Sequence, residues 1–190
     1  MTKETSTESY KHRNINLFEI EIETPRLILK SISMEYLDPI FDNFTESVTR
    51  YLMASSPQKK RETEAFIEDS LEKMKSGENL VVVILDRDNE EFIGCSGIHD
   101  IGKSNSPEMG IWIKESHHGC GYGKETMSAL KRWAHDNLEY ESLIYPVDRQ
   151  NIASRKIAES LGGCIVREEI KITESGKQLD TLVYQIFNCS

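Results

Sequence analysis

Between residues 108 and 138 an apolar β-type run passes through three closely spaced glycines into an amphipathic helix, and few folds accommodate that order. Gly110-Ile111-Trp112-Ile113 reads as a strand and His118-Gly119-Cys120-Gly121-Tyr122-Gly123-Lys124 as a bend. Met127, Leu130, Ala134 and Leu138 then recur at helical spacing as a buried stripe. Glycine turns a chain at positive φ and lets backbone N–H groups approach an anion with no Cβ in between. The helix start adds unpaired N–H donors and about half a positive charge. Together these make a seat for phosphate.

The surrounding pattern supplies strands and helices in alternating blocks. Residues 80–85, Leu-Val-Val-Val-Ile-Leu, form a continuous β-rich run of the kind covered on both faces. A turn cluster at 86–90 leads to a returning strand at 92–99, and 108–114 completes a meander of three. Upstream, residues 17–23 and 26–32 alternate around Pro25, giving two short strands or one broken edge strand. Leu37, Ile40, Phe41 and Phe44 predict a helix over 34–44. A second helix follows Pro57 and Lys59-Lys60-Arg61, with Ala65, Phe66, Leu71 and Met74 as its stripe and Gly77 as its end; these two helices would furnish a substrate-facing wall. Downstream, residues 143–147 form a strand in which Pro146 cannot donate to a ladder, so one side lacks a partner there. Asn151 caps a short helix carrying Ala153, Ile157 and Leu161, and 164–173 pairs with 179–187 across Ser175-Gly176. Residues 1–16 read as a mobile polar tail, leaving 17–190 as one domain of mixed α/β (α+β) class.

Three phosphate loops compete for the bend. A Walker loop needs G-x-x-x-x-G-K-[ST]; Gly119 falls one residue short, and Glu125 stands where the magnesium-binding hydroxyl belongs. A dinucleotide fingerprint needs G-x-G-x-x-G; Gly123 closes one residue early, and the loop follows a meander instead of opening a first βαβ unit. The third pattern is Q/R-x-x-G-x-G/A, which residues 118–123 match at both glycines. It is the pyrophosphate loop of the GCN5-related N-acetyltransferase (GNAT) superfamily. From residue 23 to 187 the chain resembles this superfamily, and specifically its branch of ribosomal-protein N-terminal acetyltransferases (RimJ/RimL type). The likeness is carried by Glu23-Thr24-Pro25-Arg26-Leu27-Ile28-Leu29, by Gly110-Ile111-Trp112-Ile113, by Gly121-Tyr122-Gly123-Lys124-Glu125, and by Asn151-Ile152-Ala153-Ser154 ahead of Leu161-Gly162.

The resemblance implies a mixed central sheet of about seven strands flanked by four helices, with acetyl-CoA as co-substrate and no metal. Within the Ile111-Trp112-Ile113 segment, backbone groups of Ile111 and Ile113 would pair with the pantetheine arm and offer an oxyanion donor. His118, Gly119, Cys120, Gly121, Tyr122, Gly123 and Lys124 would wrap the pyrophosphate. Asn151 would bond the cofactor, Ser154 would face the thioester sulfur, and Lys124, Arg155 and Lys156 would lie within reach of phosphates. Two departures stand out: the loop opens on His118 instead of Gln or Arg, and Ala158 replaces the tyrosine that in many members protonates the leaving thiolate. Ser154, or a water it holds, is the substitute that the resemblance to the ribosomal-protein branch suggests. Glu108 is the preferred base, acting through water, with His99 and Asp100 behind it.

Composition narrows the partners. The formal charge is −9, without a concentrated basic patch, which disfavours nucleic acid and suits a cationic acceptor. No apolar run approaches the ~18 residues of a membrane span, and residues 1–16 lack the apolar stretch of a secretory signal. Cys95, Cys120, Cys164 and Cys189 form no metal or disulfide framework, so a cytoplasmic protein is expected. Neutralising an α-amine of pKa near 8 at pH 7 costs about 1.4 kcal/mol, against about 4.6 for a lysine. With no emphatic base in view, a protein N-terminus or another low-pKa amine is favoured, and polyamines and aminoglycoside-like molecules stay open. Monomer and homodimer both fit. The alternative is a catalytically weak CoA-binding sensor or partner-binding module of the same fold, suggested by Ala158.

Overall fold

The computed structural model describes residues 15–187, so most of the expected tail, with His12 and Cys189, lies outside the described residues. At its centre is the apolar run, strand β3 (Leu80–Asp86), in which Leu80, Val82, Val83 and Ile84 have no exposed surface. Around it stand β1 (Glu21–Glu23), β2 (Leu27–Ser31), β4 (Phe92–His99), β5 (Glu108–Ile113), β6 (Ser142–Asp148), β7 (Cys164–Ile172) and β8 (Gln178–Phe187). They form one sheet in the order β1-β2-β3-β4-β5-β6-β8-β7, antiparallel throughout except for β5 against β6. Among the described residues five α-helices complete the fold: α1 (Leu37–Asn43), α2 (Glu46–Thr49), α3 (Lys60–Lys75), α4 (Tyr122–Asn137) and α5 (Ile152–Ser160). α1 packs on β4 and α3 on β3, while α4 packs on β2, β4 and β5. Successive residues of β4 face opposite ways. Ser96 meets Met127 of α4 (Oγ to Sδ 3.6 Å), and Cys95 and Gly97 face α1 and α3.

The mixed α/β expectation holds, with one strand and one helix more than anticipated. Residues 17–32 resolve into a hairpin, β1 with β2, preceded by a 3-10 turn (Leu17–Glu19) that Asn16 caps. The helix expected over 34–44 begins as a 3-10 turn (Met34–Tyr36) and becomes α-helical at Leu37. Pro39 then falls in the first turn, where its missing N–H has no intrahelical acceptor to lose. α2, one turn long, has no apolar period to announce it. In α3, Met74 is buried and Leu71 packs against the core as expected, but the first half of the stripe is corrected. Thr63, Ile67, Ser70 and Met74 face the core, whereas Ala65 is exposed and Phe66 retains 43% exposure. Two small polar residues replace apolar ones on the buried face, which disguises it. In α5 the buried residue is Ala158 instead of Ala153.

The parallel contact opens a wedge in the sheet. β5 and β6 are in register at Glu108↔Ile144 alone, where Ile144 N–H donates to Pro107 O at 2.9 Å, and beyond it they part. Amide direction alternates along a strand. Pro146, two residues after Ile144, therefore has its nitrogen toward the opening, where no ladder bond is lost. Lys114 N–H donates to Ile93 O on the β4 side (2.8 Å), so the amides of Ile111 and Ile113 point the other way, into the same opening.

Candidate functional site

At the wide end of this wedge the chain bends into α4. Gly119 (φ 77°) and Gly121 (φ 81°) are left-handed, and Gly121 is the N-cap of α4 with no side chain capping it. The first amide with an acceptor one turn back is that of Glu125, which donates to Gly121 O at 3.2 Å. The amides of Tyr122, Gly123 and Lys124 are those a helix start leaves without an i−4 partner. Residues 119–121 are exposed, so the bend opens outward. The third glycine has another duty: a Cβ on Gly123 would stand 2.8 Å from Ile157 Cδ1, so its absence lets α5 approach α4.

The bend is held from the far edge of the sheet. Glu125 Oε1 accepts from Thr24 Oγ1 (2.7 Å) and from Arg26 N–H (2.9 Å), and Oε2 accepts from Arg26 Nε (2.8 Å) and Nη2 (2.6 Å). Arg26 Nη1 continues to Cys120 O at 3.0 Å, and the guanidinium lies 4.6 Å over the Tyr122 ring. Burial alone would raise the Glu125 carboxyl, but the hydrogen bonds from Thr24 and Arg26 hold it below the usual glutamate value. Two of the four stretches that carry the family likeness thus meet as one network, and Glu125 is its hub. In the sequence Glu125 closes the 121–125 stretch and marks a missing hydroxyl, with nothing to announce its partners.

His118 contributes differently from expectation. Its Nε2–H donates to Ile113 O at 2.7 Å, and its backbone N–H donates to Glu115 O at 3.1 Å. Both groups are used to fix the start of the bend, and the Ile113 carbonyl is engaged with them. Across the wedge, Asn151 Oδ1 accepts from Ser154 N–H (3.1 Å) and caps α5. Ser154 Oγ lies 2.6 Å from Tyr145 OH on β6. Tyr145 is 3% exposed, and burial pushes its phenol up to about 12, against the smaller opposing effect of the Ser154 bond, so it stays protonated. Position 158, where the tyrosine of other members would sit, is fully buried. Nothing in the sequence singles out Tyr145, because only the fold brings β6 beside α5. Lys124 and Lys156 are exposed, whereas Arg155 is engaged with Tyr184 OH (3.2 Å) and Arg149 O (3.3 Å).

On the other face of β4 and β5 lies a cavity of about 330 Å³. Its floor is flat because two glycines oppose each other in register, Gly97↔Gly110, with Cys95↔Trp112 on one side and His99↔Glu108 on the other. Ile40, Phe44 and Phe66 wall it from α1 and α3, and Leu52, Ala54, Ser55 and Pro57 line it from the segment between α2 and α3. His99 also lines it. Built Cβ atoms on Gly97 and Gly110 would stand 3.1 and 3.7 Å from His99 Nε2, so the ring lies along this floor. Burial lowers the His99 pKa below 6.5, with Asp100 opposing and Lys73 assisting. Glu108 is half-buried, not a plain surface carboxylate. Burial raises it above 4.5, and Lys171 and Arg167 pull the other way against Asp100 and Glu169. Asp100 is exposed at the strand end with φ 58°.

A sequence model of the acetyltransferase (GNAT) domain matches residues 26–163. No match is found among curated proteins. Among solved structures, the Salmonella typhimurium acetyl transferase that modifies the N-terminal serine of 50S ribosomal subunit protein L7/L12 superposes with a TM-score of 0.79. It is 15% identical, over 90% of this chain and 100% of its own. RimL, the ribosomal L7/L12 α-N-protein acetyltransferase, in complex with coenzyme A, gives 0.76 at 17% identity, over 88% and 98%. A GCN5-related N-acetyltransferase from Brucella melitensis gives 0.74 at 17% identity, over 89% and 79%. The domain match takes in the wedge, the bend and the α5 cap, and the chain belongs to the GNAT acetyltransferase family of acetyl-CoA-dependent acyltransferases.

Proposed function

We propose that this enzyme transfers the acetyl group of acetyl-CoA to a primary amine, a protein N-terminal α-amine or that of a small molecule, by direct attack. One observation carries the reading: the outward-facing amides of Ile111 and Ile113, the uncapped start of α4 and the cavity all converge on β5. The residues present fit the coenzyme. The wedge offers unpaired strand amides to its amide-containing arm, and the 119–124 bend offers N–H donors to its pyrophosphate. Lys124 and Lys156 are exposed cations on the two helices beside it. Bound acetyl-CoA supplies a thioester carbonyl open to attack by a neutral amine. This chain's part is to take a proton from the amine, to offer an N–H of Ile111 or Ile113 to the oxygen that gains charge, and to hold a proton ready for the departing sulfur. His99 and Glu108, neighbours on the cavity face, are the bases, and His99 is the one that lines the cavity. Ser154 holds the proton on the opposite side, backed by Tyr145. The RimL-type neighbours support a protein α-amine as one acceptor class.

Calorimetric titration with acetyl-CoA tests the seat, and mass spectrometry of an amine and peptide panel tests the transfer. The expected results are micromolar-range binding, about −8 kcal/mol, and a product heavier by one acetyl group. Absence of binding at millimolar coenzyme overturns the reading. Ser154→Ala is expected to lower kcat about 100-fold with little change in acetyl-CoA affinity, and Tyr145→Phe about tenfold. An unchanged kcat in Ser154→Ala would remove Ser154 as the acid, and a CoA-binding protein with no product from any amine would instead be the sensor module.

A further inference from the structure

We infer that the acceptor is a primary amine borne one or two carbons from an apolar, ring-sized group, which the cavity beneath α1 and α3 takes up; this deepens the transfer reading and rests on it. The cavity's chemistry is one-sided. Ile40, Phe44, Leu52, Phe66, Val81 and Trp112 line it, with Phe44 and Trp112 in a tilted aromatic contact at 4.9 Å. A volume of about 330 Å³ takes a ring and a short chain.

Charge is nearly absent from the lining. The single carboxylate there is Glu62, exposed at the rim and already accepting from Gln58 N–H at 2.8 Å. A polyamine or an aminoglycoside needs several carboxylates or carbonyls to replace the water around its ammonium groups, and burying such charges unpaired is costly. The cavity does not provide them. Its polar side chains are few. Ser55 is exposed at the rim, Ser96 Oγ already donates to Gly110 O at 2.7 Å, and His99 lies along the floor. The amine, or the amide next to it, meets the His99 ring, while the apolar body covers Phe44, Phe66 and Trp112. A free arylalkylamine and a peptide beginning with Phe share this chemistry.

The test uses the full chain with saturating acetyl-CoA and thiol release as readout. The acceptors are phenylethylamine, a tetrapeptide beginning with Phe, the same peptide beginning with Ser, spermidine and kanamycin. The apolar amines are expected to exceed the other three in kcat/KM by at least about tenfold, the range set by burying a ring in a fitted pocket. Which of the two leads tells a small-molecule source from a peptide one. Preference for the Ser peptide, spermidine or kanamycin overturns the inference while leaving acetyl transfer standing.

A second readout needs no turnover. In a Trp133→Phe background Trp112 is the sole tryptophan, and phenylethylamine should shift its emission saturably. Saturable binding without any acetylated product would uphold the seat and overturn the transfer reading; no shift and no product overturns the seat.

Discussion

Replacing Glu125 by alanine should lower Tm by about 6–12 °C and weaken acetyl-CoA at least about tenfold, though residue 125 offers no N–H that a phosphate need touch. The cause is the carboxylate's position between two distant segments. It accepts from the Thr24 hydroxyl and from three nitrogens of Arg26, and its side chain is only 15% exposed. Hydrogen bonds to a charged group contribute about 1.5–3 kcal/mol each when buried, and the half-exposed guanidinium recovers part of this from water, so about 3 kcal/mol in total is a fair expectation. For a chain of this length that corresponds to roughly 2–4 °C per kcal/mol. Loss of coenzyme affinity follows because Arg26 also holds Cys120 O, in the middle of the bend. Without its hub the amide array must be ordered at the expense of binding. Glu125→Gln keeps the Oε1 acceptor for Thr24 and the Arg26 amide and should lose about half as much. Since the carboxyl is held below its usual value, its stabilising effect is present above the unfolded pKa near 4.5 and is lost as pH falls through the lower folded value. Thermal melts of the native protein and Glu125→Ala should therefore converge toward acid. A Tm within about 2 °C of the native protein at neutral pH, with equal acetyl-CoA affinity, would dismiss this network as incidental.

The difference between what the sequence disclosed and what it withheld is one of range. The buried strand at 80–85, the glycine bend and the Asn151 cap are local: a run of β-branched residues, positive-φ demand and a side chain reaching three residues on. Each is readable without knowing the rest of the chain. Pro146 is half readable. That one side lacks a partner follows from its missing N–H; that this side is the wedge requires knowing the amide direction at Ile144. The Thr24–Arg26–Glu125 hub and the Tyr145–Ser154 pair join positions far apart or on different elements, and nothing in their spacing announces them. The first half of the α3 stripe fails for another reason. Thr63 and Ser70 face inward, so the polar pattern there draws the buried face toward Ala65 and Phe66. That same Thr63 borders the cavity. The sequence is hardest to read where the buried face departs from apolar chemistry, next to the proposed acceptor.

His99→Gln should lower kcat about 100-fold or more and change the shape of the pH profile, whereas Glu108→Gln should lower it less and leave the shape alone. Both residues lie on the cavity face, paired in register across β4 and β5, but only His99 lines the cavity. An imidazole is competent as a base only when neutral, and burial, its dominant influence, holds His99 below 6.5, so it is neutral through the physiological range. The acceptor must be neutral too, and its amine titrates higher, near 8 for an α-amine. Two protons must therefore be absent at the lowest pH and one between the two pKa values. The logarithm of kcat/KM should climb with a slope of about 2 below the imidazole pKa and about 1 above it, flattening where the amine is free. In His99→Gln the lower break should vanish and a slope of about 1 should extend to the acid end. A merely structural histidine would change the amplitude and leave both breaks in place. If instead Glu108→Gln removes the lower break, the carboxyl raised above 4.5 by burial is the group that takes the proton, and His99 only shapes the floor on which the amine rests.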